Sequence, residues 1–203
     1  DSYVTGPGGI LADLISVFGD IDGTLLLATA LVVTLILILV YRSPFLWVIP
    51  LVSAGFALSL ASAVVYLLAT NDVLSLNGQS QGILTVLVFG AGTDYALLLT
   101  ARYREELRRV EDRHEAMRIA VRQAAPAILA SAGTVVAALL CLMVAEVNTT
   151  AGLGPVGAMG IAVAAIAMLT LLPALLLIGG RRAFWPFVPR FGSEDTAARG
   201  AWL

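Results

Sequence analysis

Five apolar runs account for most of the chain, and the polar segments between them alternate in kind. The runs cover residues 24–41, 45–69, 81–101, 126–147 and 153–178. At about 1.5 Å of rise per residue, each is long enough to cross ~27 to 30 Å of hydrocarbon as a helix. Five membrane-spanning helices are therefore predicted. Arg42, Ser43 and Pro44 end the first, and the second carries Gly55, Ala57, Ser59, Ala61, Ser62 and Ala63, small residues that let membrane helices approach closely. Pro126 reads as the first turn of the fourth, where proline is tolerated. Pro173 is expected to bend or end the fifth, which is dense in Gly154, Gly157, Gly160 and alanines.

Residues 102–123 break this pattern with seven arginines, five acidic residues and His114. Tyr103, Leu107, Val110, His114, Met117 and Val121 are spaced 4, 3, 4, 3 and 4, which is one face of a helix. An amphipathic helix is predicted here, continuing from the third span and lying along or beneath the headgroups. Glu105 with Arg109 and Glu115 with Arg118 are placed to pair on its surface. Residues 1–23 read as an extracytoplasmic approach to the membrane, and 181–203 as a cytoplasmic tail or linker.

Composition and charge then fix the class and the orientation. A hydrophobic fraction of 59% against 13% charged residues, with a mean hydropathy of +0.93, is too apolar for a soluble domain of this size. The fold class is an all-α polytopic membrane helix bundle. All twelve basic residues are arginine, and they follow the first, third and fifth spans, whereas the N-terminal segment and the other two loops have none. By the positive-inside rule the N-terminus is outside and the C-terminus cytoplasmic, in a plasma membrane. The chain starts at Asp1 with no visible signal peptide, and a fragment of a longer protein is expected.

Asp94 is the one acidic residue deep within a span. A charge at the centre of a membrane helix costs about 2.5–3.5 kcal/mol on insertion scales, so such residues are usually functional. Desolvation favours the neutral carboxyl, and a carboxyl that gains and loses a proton with its surroundings is what a proton relay requires. Tyr95 adds a hydroxyl about 100° around the helix. Gly90 and Gly92 provide close approach, and Thr93, Ser131 and Thr134, with Thr170 further off, are candidate hydrogen-bonding support. The other reading is a permanently protonated Asp94 that only joins two helices by a hydrogen bond.

Other chemistry is poorly supplied. Cys141 is the single cysteine, so disulfides and cysteine metal sites are excluded, and it reads as a small packing residue. His114 has no second ligand at metal spacing. No serine, histidine and carboxylate triad can be assembled. GPVGAMG at 154–160 has no P-loop lysine to go with it, and reads as helix packing. No metal, cofactor, nucleic-acid partner or enzymatic activity is expected.

GAGTDYALLLTARYREEL (90–107), APAILASAGTVVAALLCLM (125–143) and GPVGAMGIAVAAIAMLTLLPALLL (154–177) resemble the MmpL family of the resistance-nodulation-division transporter superfamily, in its actinobacterial form. VYRSPFLWVIPLVSAG (40–55), NGQSQGILTVLVFG (77–90) and FWPFVPRFG (184–192) are similar too, so the likeness covers nearly the whole chain. The resemblance implies spans two to six of a first transmembrane half, similar in layout to a sterol-sensing domain, with porter domains and a second half elsewhere in the full protein. It implies that Asp94 and Tyr95 take part in proton translocation, driven by the proton gradient and coupled to export of lipids or other hydrophobic compounds, opposite a polar pair in the second half. A lipid- or sterol-sensing module that transports nothing is the alternative, and a scaffold is a third reading. Membrane lipids and a hydrophobic substrate are the implied partners. The small-residue faces fit packing within the chain or between copies in a homo-oligomer.

Overall fold

A computed structural model describes residues 24, 27–38, 46–71, 78–144, 148–185, 188–189 and 191–192. The approach segment 1–23, the end of the first span at 39–41 and the tail beyond 192 lie outside the described residues. Among those described the regular structure is helical, with no strand. In order, the helices are α1 (Leu27–Ile38), α2 (Val48–Thr70), α3 (Gly78–Arg109), α4 (Arg113–Cys141) and α5 (Asn148–Gly179). Single 3₁₀ turns follow α4 at Leu142–Val144 and α5 at Gly180–Phe184. α2, α3, α4 and α5 are each long and apolar enough to cross a membrane, and α1 shows 12 described apolar residues of the first predicted span. The chain is thus a multi-pass membrane helix bundle.

Side-chain size sorts the faces of α2. On α2 the buried positions are Ser53, Ala54, Ala57, Ala61 and Val65, while Val52, Phe56, Leu60 and Leu67 point outward. Lipid tails are as apolar as leucine, so bulky residues gain little by turning inward, and small ones gain van der Waals contact by doing so. α5 takes this furthest and sits against α2, α3 and α4. A Cβ on Gly154 would stand 2.5 Å from the Leu139 carbonyl oxygen of α4, and one on Gly157 would press on Leu139 and on Leu87 of α3. Gly160 meets Leu84 and Val88 of α3 in the same way. The glycine-rich stretch 154–160 is therefore a packing surface.

Hydroxyls inside the spans bond mostly to their own helix. Ser53, Thr85, Thr134 and Thr170 each donate to the carbonyl four residues earlier, at 2.7–3.0 Å. This satisfies the donor without a partner helix. Gln81 crosses from α3 to donate to Ser62 of α2 at 3.3 Å.

Four local expectations are corrected. Residues 102–123 are divided between two helices: 102–109 extend α3, and 113–123 begin α4, with a break at 110–112. Asp112 makes that break as the N-cap of α4, accepting from the His114 amide at 3.1 Å, while Val110 N–H closes α3 on the Glu106 carbonyl. Pro126 does not open a helix but lies thirteen residues inside α4. Its ring leaves the Arg122 carbonyl without its helical donor. Ala116, Ala120, Ala124, Ile128 and Ala132 form one buried stripe at four-residue spacing that runs straight past it, and this packing holds the helix together. Cys141, expected as a packing residue, is exposed on α4. α5 also continues through Pro173 to Gly179.

Candidate functional site

Asp94 stands at the middle of α3, fourteen residues after Ser80 and fifteen before Arg109 in the apolar stretch that can span a membrane. Between Ser80 and Ala101 the exposed positions of this helix are Ile83, Val86, Gly90, Asp94 and Ala101, spaced 3, 4, 4 and 7, which is one stripe along the rod. The opposite face buries Leu84, Val88, Phe89, Ala96, Leu99 and Tyr103. The carboxylate therefore projects from the bundle surface at mid-helix, and the residue one turn before it has no side chain. A Cβ on Gly90 would meet nothing within 4 Å.

The remaining candidates separate into inward and outward groups. Tyr95 is only 4% exposed and belongs to the main apolar core. Thr93 is buried and donates to the Phe89 carbonyl. Gly92 also faces inward, where its absent side chain admits Met168 of α5, 3.1 Å from an added Cβ, and Ala54 of α2 at 3.9 Å. Ser131 and Thr134 are exposed on α4. Thr134 bonds within its own helix, and among the described residues no hydrogen bond joins Asp94 to either. The structure thus brings Gly90 and Asp94 onto one open face, uses Gly92, Thr93 and Tyr95 to build the wall behind it, and leaves Ser131 and Thr134 apart.

A second polar centre, at the arginine-rich end, was not anticipated from the sequence. Arg181 reaches from the turn after α5 and donates to the carbonyls of Val110 (2.9 Å), Glu111 (3.0 Å) and Pro189 (2.9 Å). One guanidinium so caps the end of α3 and holds the chain leaving α5 against it. The Gly192 amide adds a bond to the Arg108 carbonyl at 2.9 Å. Glu106 is buried on the same hairpin and accepts from Gln123 of α4 at 3.3 Å, with Arg109 3.7 Å away. Tyr103, beyond the 81–101 span, packs its ring on Phe184 with centroids 6.0 Å apart. The signal in the sequence was Gly179 and Gly180 directly before Arg181: Gly180 adopts φ +54°, which ends the helix and turns the arginine back. His114 is exposed, and among the described residues no three potential metal ligands cluster.

Comparison with known proteins agrees with this architecture. The MMPL family model matches residues 1–202, and the chain belongs to that family. It is 56% identical over 98% of its length to the putative membrane protein ActII-3 of Streptomyces coelicolor. It is 42% identical over 97% of its length to the apo-petrobactin exporter of Bacillus anthracis, and 32% identical over 89% to the sulfolipid-1 exporter MmpL8 of Mycobacterium tuberculosis. The chain spans only 28%, 27% and 16% of those three proteins respectively.

Proposed function

We propose that the chain is a transmembrane half-module of an exporter of lipids or other hydrophobic compounds, driven by the proton-motive force, in which Asp94 gains and loses the coupled proton and Tyr95 supports it. The observation that carries this reading is the outward-facing carboxylate at the midpoint of a membrane helix beside the bare backbone of Gly90. Left against lipid tails, a charge there costs about 2.5–3.5 kcal/mol. A covering surface that supplies water, a hydroxyl or a cation removes that cost in one state of the protein and restores it in another. This difference makes protonation and conformation depend on each other. Each proton driven across 100 mV delivers about 2.3 kcal/mol.

Tyr95 keeps its ring in the core and so fixes the rotation of α3 that presents Asp94. The arginine-rich hairpin is assigned to the cytoplasmic side by its charge. The absence of a nucleophile paired with a base in the sequence favours transport over catalysis, and relatives named as exporters support it. The covering surface is assigned to a second transmembrane half, with porter domains supplying the rest of the substrate path.

The test is Asp94→Asn in the full-length protein. Export is expected to be abolished, with expression, membrane insertion and thermal unfolding as in the wild type. Export retained by this variant would overturn the relay assignment and favour a lipid-sensing module instead.

A further inference from the structure

The arginines at the hairpin end are not equivalent. Arg102 pairs with Glu105 at 3.1 Å, Arg109 with Glu105 at 2.6 Å, and Arg118 with Glu115 at 2.7 Å. Arg104 and Arg108 also have partners, and Arg181 is committed to three carbonyls. Arg113 and Arg182 are both exposed, and among the described residues no carboxylate oxygen lies within 4.0 Å of either guanidinium. The adjoining Asp112 faces the His114 amide instead. Arg122 is also unpaired, but it lies nine residues along α4 from Arg113, about 13 Å away and on the opposite side of the helix.

Arg113 and Arg182 flank one turn. An added Cβ on Gly180 would lie 3.4 Å from Arg113 Nη1, so the guanidinium rests against the backbone of the 180–184 turn that carries Arg182. The same turn marks the end of the apolar surface. Ile178, in the last helical turn of α5, is 80% exposed, and Trp185, directly after the turn, is 57% exposed. An exposed isoleucine on one side of the turn and an exposed tryptophan beside arginines on the other mark the passage from hydrocarbon to interface. Two guanidinium groups with no carboxylate partner among the described residues, set on one turn at the end of the apolar surface, are placed to attract a phosphate by their charge.

We infer that Arg113 and Arg182 form a binding site for the phosphate of an anionic phospholipid headgroup, with Trp185 and Ile178 as its apolar border. The site fastens the α3–α4 hairpin and the end of α5 to the membrane surface at one point. It is independent of the proton chemistry at Asp94.

The test uses the full-length protein in nanodiscs of mixed phosphatidylglycerol and phosphatidylcholine, with native mass spectrometry to count the lipids retained. The wild type is expected to retain phosphatidylglycerol preferentially, less so as salt is raised. Arg113→Gln with Arg182→Gln should reduce that preference by about thirtyfold, given the usual contribution of each arginine near an anionic surface. Arg118→Gln, which removes a charge already offset by Glu115, should leave it as in the wild type. Arg113→Lys with Arg182→Lys keeps the charge and should keep most of the preference, which separates loss of the site from loss of the fold. An unchanged preference in the glutamine pair, an equal loss in Arg118→Gln, or an equal loss in the lysine pair would each overturn the inference.

Discussion

Asp94 and Tyr95 are neighbours in the chain, about 100° apart around the helix, yet the carboxylate is exposed on the bundle surface and the phenol ring is buried in its core. Stability and transport should therefore separate at these two positions. Tyr95→Ala leaves a cavity among packed side chains and is expected to cost about 3 kcal/mol, in line with other aromatic truncations in cores. Tyr95→Phe keeps the ring and should change stability by less than about 1 kcal/mol. Unfolding of the detergent-solubilised protein followed by circular dichroism measures both. Equal losses from the two variants would show that the ring's burial is not what holds it.

The glycines divide in the same manner. Gly154→Ala forces a methyl group onto the Leu139 carbonyl oxygen, a backbone atom that cannot swing aside, and overpacking of this kind typically costs about 1–3 kcal/mol. Gly90→Ala meets nothing in the described bundle and should leave its unfolding temperature unchanged or slightly raised, since alanine favours helix over glycine by up to about 1 kcal/mol. The same Gly90→Ala should lower export by the full-length protein, because the proposal has another surface pack there. A Gly90→Ala variant with undiminished export would argue against close packing at that point.

Arg181 ties three stretches of backbone together, so Arg181→Ala should loosen all of them at once. Part of the interaction is solvent-exposed, and a loss of about 1–2 kcal/mol is expected from its charged hydrogen bonds. Arg181→Lys should recover less than half, because one ammonium cannot span carbonyls in the fork geometry of a guanidinium. Hydrogen exchange at the amides of Val110 and Gly192, one in each segment, is the direct measurement. Protection lost at only one of the two segments would contradict a shared tie.

Glu115 is held below the ordinary carboxylate value, chiefly by its side-chain hydrogen bonds with Arg118. A carboxyl depressed in the folded state contributes stability above its unfolded value and loses it as pH falls through the folded one. Arg118 is exposed and Glu115 half-exposed, so solvent screening keeps the effect small and local. Helix protection at the start of α4 should weaken as pH drops below about 4.5, the ordinary value for a glutamate. In Glu115→Gln that pH dependence should vanish.

The spans were readable because hydrocarbon imposes length and composition on any helix that crosses it, and the apolar runs at 45–69, 81–101, 126–147 and 153–178 meet long helices. The hairpin was less readable. Tyr103, Leu107 and Met117 are all buried as their spacing suggested, yet they lie on two helices, since a 4, 3, 4 rhythm continues by chance across the break. Asp112 followed three residues later by Glu115 has the form of a helix start and was the discriminating signal. Pro126 misled because the cost of proline is local, whereas the stripe from Ala116 to Ala132 acts over the whole helix. At the candidate site, position along the helix was legible from counting. Which way Asp94, Thr93 and Tyr95 point depends on where α2 and α5 lie, and no local pattern records that.

The continuity of α3 has a mechanical consequence. From Asp94 to Arg109 the rod is unbroken, a length of about 22 Å at 1.5 Å per residue. A tilt of roughly 5° pivoting at the carboxylate would displace the far end by about 2 Å, on the scale of helix shifts known to switch protein interfaces. Because Arg181 grips that end, the displacement would pull on the strand of chain leaving α5. In the proposed relay, a proton bound at Asp94 would thereby act through a lever arm that ends at the Arg181 tie.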